Sequence, residues 1–146
     1  MISVDTPVIV TEGVAVILER FAGIAPWEDR YGYCRVVRAG AWAGTAGTTA
    51  TGPDGVLHPG DPYRQTLAAF TIALEALSLA GVPATQVVRT RMYVVDITQQ
   101  DLIGAAHREL FFQIRPVATM VQVSALADAE HLVEVEVEAY LQDSGP

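Results

Sequence analysis

The sequence predicts an α+β fold, a mixed β-sheet of about six strands with two long helices packed on one face, and three observations carry that prediction. The segment HLVEVEVEAYL at 131–141 alternates strictly: Val133, Val135, Val137 and Ala139 face one way, Glu134, Glu136, Glu138 and Tyr140 the other. QVVRTRMYVVD at 86–96 alternates too, setting Val88, Thr90, Met92 and Val94 against Arg89, Arg91, Tyr93 and Val95. Leu67, Phe70, Leu74 and Leu77 recur at steps of three and four, which marks one apolar stripe along a helix. A chain of 146 residues is long enough to bury such a core, so residues 1–146 are expected to form a single domain.

Residues 1–12 read as a short N-terminal extension. TEGVAVILERF, from Thr11 to Phe21, is rich in β-branched residues and predicts the first strand. GIAPWEDRYG reads as a loop, and YCRVVRAG with AWAGTAGTTA as two strands joined around Gly40, where Gly44 and Gly47 permit a bulge or a close backbone approach. The breaks in TGPDGVLHPGDP give the strongest loop signal of the chain. Asp61 as N-cap, Pro62 in the first turn and Gly81 past the end bracket the first long helix.

After the strand at 86–96, Thr98 and Asp101 have capping-box spacing ahead of the second helix, LIGAAHRELFF. Pro116 then opens the strand in IRPVATMVQVSAL. The order is therefore β, β, β, α, β, α, β, β. Three glutamates on one strand face repel each other unless cations answer them, and Arg89 and Arg91 are the expected partners on a neighbouring strand.

Composition removes several classes of function. The formal charge is −8, and all nine cations are arginine, so no lysine can form a Schiff base or anchor a cofactor; none is expected. Binding to nucleic acid is not expected from an acidic chain without a basic cluster. The lone Cys34 makes no internal bridge and reads as packing, alternating away from Tyr33, and nothing has paired Cys/His metal spacing, so no metal is expected. Glu12, Glu19 and Arg20 interrupt the apolar stretch at 7–25, which excludes a membrane span or secretory signal there and leaves the cytoplasm as the expected compartment.

The succession YGYCRVVRAG…AGTTA, YRQTLAAFTIALEALSLAG, VVRTRMYVVD, FFQIRP…TMVQVSAL and VEVEVEA resembles the Rid family, also called YjgF/YER057c/UK114, over about residues 30–141. The resemblance implies a chorismate-mutase-like fold, a homotrimer, and a ligand cleft at each subunit interface. It implies small-molecule chemistry, for which the best-known family reaction is hydrolysis of enamines and imines such as 2-aminoacrylate to a keto acid and ammonia.

Carried over by position, the family's cleft tyrosine is Tyr33, its strand glycine is Gly47, and the acid proposed to hold a catalytic water is Glu136. The family's arginine, two residues after the strand-opening proline, anchors the substrate carboxylate through a two-pronged contact; here that position is Ala118. Its cysteine becomes Met120, and its helix asparagine becomes Gly104. These three replacements predict a pocket suited to a bulkier or less charged ligand than the usual one.

Four further residues are candidates from their own chemistry. Arg115, beside Pro116, is a displaced carboxylate anchor or a solvated charge. His107 is an acid–base group near neutral pH or a helix-surface histidine. Trp42 and Trp27 offer flat apolar surface at a cleft rim or in an interface. The expected function is an imine or enamine enzyme with Glu136 and Tyr33 as catalytic groups. The alternatives are a biosynthetic enzyme for cyclisation, tautomerisation or dehydration in the same cleft, a non-enzymatic binding protein, and the family's older endoribonuclease label.

Overall fold

The computed structural model describes residues 2–5, 8–11 and 13–142. The N-terminal stretch is not a featureless extension. It supplies β1 (Ile2–Asp5) and β2 (Val8–Thr11), both antiparallel to β3 (Val14–Ala22), so the expected first strand at 11–21 is one arm of a hairpin. The expected loop at 23–32 contains a short helix, α1 (Pro26–Tyr31). Pro26 begins it, Gly32 at φ 73° ends it, and the buried Glu28 carboxylate accepts the Gly23 N–H at 2.9 and 3.1 Å.

β4 (Val36–Ala39) and β5 (Trp42–Thr45) turn around Gly40, and short strands β6 (Thr48–Thr49), β7 (Thr51–Gly52) and β8 (Gly55–Val56) follow. Between β5 and β6 the chain leaves the ladder at Ala46 and Gly47, and there Thr45 Oγ1 accepts the Val137 N–H at 3.1 Å. The irregularity expected near Gly47 is present.

α2 (Pro62–Leu79) is capped by Asp61, whose carboxylate accepts the Arg64 N–H at 2.9 Å. Its buried face is narrower than the leucine stripe suggests. Phe70 and Leu77 are fully buried beside Ala69, Ala73 and Ala76, whereas Leu67 and Leu74 lie at the margin. Small alanines let the helix lie close to the sheet, and Phe70 and Leu77 fill the remaining space.

Next come β9 (Val87–Val94), α3 (Gln100–Phe111), β10 (Val117–Gln122) and β11 (Val133–Tyr140). The capping box expected at Thr98 and Asp101 does not form: α3 starts after Gln99 with no side-chain cap, and the Asp96 carboxylate accepts the Thr98 N–H at 3.0 Å, opening a 3-10 turn at Ile97–Gln99 that leads into the helix. β9, α3 and the parallel β10 form one crossover unit, and β11 lies antiparallel between β5 and β9. The main path of the sheet is β1-β3-β4-β5-β11-β9-β10, with β2 added on β3 and β6 on β11.

The alternation of β11 is realised as expected: Val133, Val135, Val137 and Ala139 are at most 1% exposed under the helices, and the glutamates face away. β9 follows suit except at one end. A bulge opposite Glu138 and Ala139 sets Val87 into the core at 4% exposure and turns Val88 outward at 45%. The expected assignment of Val88 to the core side is thereby corrected.

Candidate functional site

The sheet has one face under α2 and α3 and one open face, and the open face carries the charge. Glu136 pairs with Arg91 at 3.5 Å, Glu138 with Arg89 at 3.3 Å and with Arg91 at 3.6 Å. This is the cross-strand answer that the glutamate run requires, and the register places Glu136 opposite Arg91 and Glu138 opposite Arg89. The Tyr93 phenol donates to the Glu136 carboxylate, and that bond holds its proton on, raising its pKa.

On this face lies a cavity of about 670 Å³. Tyr33, Cys34 and Trp42 form its aromatic and apolar side, Glu136 and Glu138 its acidic side, and Arg20 adds a cation. Tyr33 and Cys34 precede β4 in non-repetitive backbone, not on the strand expected there, and both border the cavity. Trp42 lies across the floor: a Cβ on Gly44 would sit 2.5 Å from its indole carbon Cζ2, so only glycine admits the ring there. Trp27 stands elsewhere, stacked on Tyr31 with ring centroids 5.9 Å apart.

Arg35 connects this cavity to Gly47. Its guanidinium donates to the Gly47 carbonyl at 3.0 Å and to Thr48 Oγ1 at 3.1 Å, and it lies 5.8 Å from the Tyr33 ring centre. Against Gly47 rests the side chain of Glu134: a Cβ at residue 47 would overlap Glu134 Oε1. Glu134 is half-buried, and burial pushes its pKa up. Sequence reasoning weighed neither Arg35 nor Glu134 as a site residue. The available signals were their spacings, two residues after Tyr33 and two before Glu136 on the same strand face.

The remaining candidates lie apart from this cavity. β10 runs in register with β9, so Ala118 stands beside Thr90 and Met120 beside Met92, on the side of the sheet toward α3. His107, on α3, binds Thr90 Oγ1 through Nε2 at 2.7 Å, with Phe70 and Phe111 around its ring. Desolvation in this setting lowers the His107 pKa. Gly104 lies one turn earlier on α3, where a Cβ would meet nothing within 4 Å. Arg115 is folded back on the C-terminal end of α3, Nε donating to the Phe112 carbonyl at 2.8 Å and its guanidinium 4.3 Å from that ring centre. One chain therefore brings Tyr33, Trp42 and Glu136 together with Gly47 close by, and holds Gly104, His107, Ala118 and Met120 across the sheet.

Residues 25–141 match the family model described as Endoribonuclease L-PSP. The chain belongs to this family, the Rid or YjgF/YER057c/UK114 family. This Rid chain is 44% identical over 116 residues to the uncharacterized protein SCO2049 of Streptomyces coelicolor, a match spanning 80% of this chain and 87% of that one. It superposes on Rv2704 of Mycobacterium tuberculosis, a member of the YjgF/YER057c/UK114 family, with a TM-score of 0.77 at 38% identity, covering 85% of this chain and 99% of that one. The Rid protein YyfA of Yersinia pestis is similar at a TM-score of 0.70 and 26% identity, with coverages of 82% and 90%. The mixed sheet with its helices on one face is thus the fold of Rid structures. Among the described residues no helix is long and apolar enough to cross a membrane.

Proposed function

We propose that this Rid chain is a small-molecule enzyme acting on imine, enamine or related tautomerisable intermediates at clefts shared between copies of a homotrimer. The observation that carries the reading is the convergence of Glu136, Tyr33 and Trp42 on one cavity. Glu136 works through a water as the acid–base group, the Tyr33 hydroxyl and the Gly47 backbone position the substrate, and Trp42 supplies a flat surface for it. A second copy supplies the other wall. The division of the candidates across the sheet supports this, as do Val117 and Val121, exposed on the edge strand β10 and free to be covered.

With Ala118 in place of the carboxylate-anchoring arginine, this protein is not the ordinary 2-aminoacrylate deaminase. The expected substrate is bulkier or less charged. Purified protein incubated with enzymatically generated 2-aminoacrylate and 2-iminobutyrate should release ammonia at or near the background rate, and bulkier neutral imines should be turned over. Failure across the whole imine panel sinks the reading.

The ion pair of Glu136 with Arg91 favours a second reading, a binding or sensing protein whose carboxylate only shapes the pocket. Glu136→Gln separates the two, because ligand binding survives in both and turnover falls by about 10²-fold or more where Glu136 is the base. RNA cleavage draws no support from the site. The net charge is −8, and two of the three histidines, His107 and His131, are bound to Thr90 and Thr51 instead of forming a pair.

A further inference from the structure

We propose that Glu134 is a second acid–base residue of this site, giving a proton where Glu136 takes one; the inference deepens the reading above and rests on it. The three glutamates of β11 share one face, but the two arginines opposite them serve only two. Arg89 and Arg91 reach Glu138 and Glu136, and among the described residues no cation lies within ion-pair distance of Glu134. Its carboxyl is instead pressed against Gly47, whose backbone belongs to the proposed site, next to Ala46 of the cavity wall. An unpaired carboxylate in such a place is costly, and carrying a proton relieves the cost.

The groups that face Glu134 act in both directions. Arg35, engaged with Gly47 and Thr48, and His131, bound to Thr51, favour the ionised form; Glu136, two residues along the strand, opposes it. Tyr93 stands opposite in register with its phenol committed to Glu136. Burial is the largest influence, and the net direction is upward. Two carboxyls with the same chemistry thus differ in setting: Glu136 is charge-paired with Arg91, and Glu134 is pushed by burial toward keeping its proton.

Alternate residues of a strand have Cα atoms about 7 Å apart, so a substrate that reaches past Ala46 from the cavity, where Glu136 stands, meets Glu134 next on the same strand face. The Glu136 carboxylate takes a proton from water as the water oxygen bonds to the imine carbon, and the C=N π pair passes to nitrogen, which takes the proton of Glu134. In the second half Glu134 takes the carbinol proton, Glu136 returns its proton to nitrogen, the C–N bond breaks, and ammonia leaves. Both carboxyls end as they began. The substrate class is a neutral imine, because the step needs a proton supplied to nitrogen from the protein.

The test compares the unaltered protein with Glu134→Gln over a pH series on the imine panel, alongside a carbon-13 titration of the glutamate carboxyls in the ligand-free protein. We expect Glu134 to titrate above the other glutamates, the unaltered enzyme to lose turnover as pH rises through that titration, and Glu134→Gln to lose about 10²-fold in kcat with KM little changed and that alkaline limb gone. A variant that folds and matches the unaltered enzyme in rate and pH profile overturns this inference alone, as does a Glu134 that titrates with the other glutamates. An unaltered protein inactive on every imine overturns the broader reading, and this one with it.

Discussion

Thr90 and His107 are joined side chain to side chain, Oγ1 to Nε2 at 2.7 Å, and this bond ties β9 to α3 across the core. The imidazole packs edge-on to Phe70 at 5.4 Å and lies 4.7 Å from the Phe111 ring centre, so a proton gained here meets apolar rings. Burial lowers its pKa in the folded state. The stability this contributes is present above the unfolded value of about 6.5 and is lost as pH falls from there toward the folded value. The melting temperature should therefore drop as pH falls below about 6.5, and His107→Gln should flatten the profile there. Thr90→Val should cost about 1 kcal/mol near neutral pH by removing the partner of a half-buried imidazole.

Gly47 and Gly104 give opposite expectations for the same substitution. A methyl group at residue 47 overlaps the Glu134 carboxyl, so Gly47→Ala should destabilise by about 1–3 kcal/mol, and Glu134→Ala in the same chain should restore much of the loss. At residue 104 the surroundings are open and the backbone is helical, so Gly104→Ala should stabilise by roughly 0.5–1 kcal/mol. Chemical denaturation of these variants checks both signs. A Gly104→Ala protein that keeps its activity as it gains stability places that residue in the scaffold.

The residues that made the fold legible are those whose periodicity meets a half-exposed sheet. Val133, Val135 and Val137 announced the core side of β11, and the charges opposite them named β9 as neighbour through Arg89 and Arg91. Period-two reasoning has no means of showing a bulge, so Val88 was set on the wrong face. α1 was missed because six residues are too few for a helical stripe, although Pro26 and Gly32 bracket it. The YRQ start of α2 is one part of the succession that resembles the family, and its work is structural. Gln65 is fully buried, donating to the Glu130 carbonyl at 2.9 Å and accepting from the Leu132 N–H at 2.8 Å, while Tyr63 binds Glu109. For the site, Glu136 and Tyr33 were legible one by one. That Ala118 and His107 stand on the far side of the sheet was not, because side depends on the register of β10 with β9.

Arg91 serves two glutamates, so its loss should expose the repulsion along β11. Arg91→Gln removes the arginine paired with Glu136 and one of the two paired with Glu138, and all of these side chains are about one-third exposed. Pairs of this exposure contribute roughly 0–1 kcal/mol each, and the repulsion left behind is screened by salt. The variant should melt measurably below the unaltered protein in about 20 mM salt, and the gap should narrow once the Debye length falls to about 3 Å near 1 M. A gap that is unchanged by salt would assign the loss to packing of the arginine stem instead.

Ala118 offers the most direct engineering test of specificity. It is exposed on the edge strand β10, so an arginine there displaces no core residue. A two-pronged guanidinium–carboxylate contact is worth about 1.5–3 kcal/mol, which corresponds to roughly ten- to a hundredfold in kcat/KM where the contact is made in the transition state. Ala118→Arg should therefore raise kcat/KM for 2-iminobutyrate by that factor and leave bulkier neutral imines unchanged or slower. Because the anchor and Glu136 lie on different sides of one sheet, the gain requires a second copy to bring them to the same cleft. It should vanish on dilution below the concentration at which sedimentation shows the assembly coming apart. A gain that persists in the isolated chain would mean that Ala118 and Glu136 do not act across an interface.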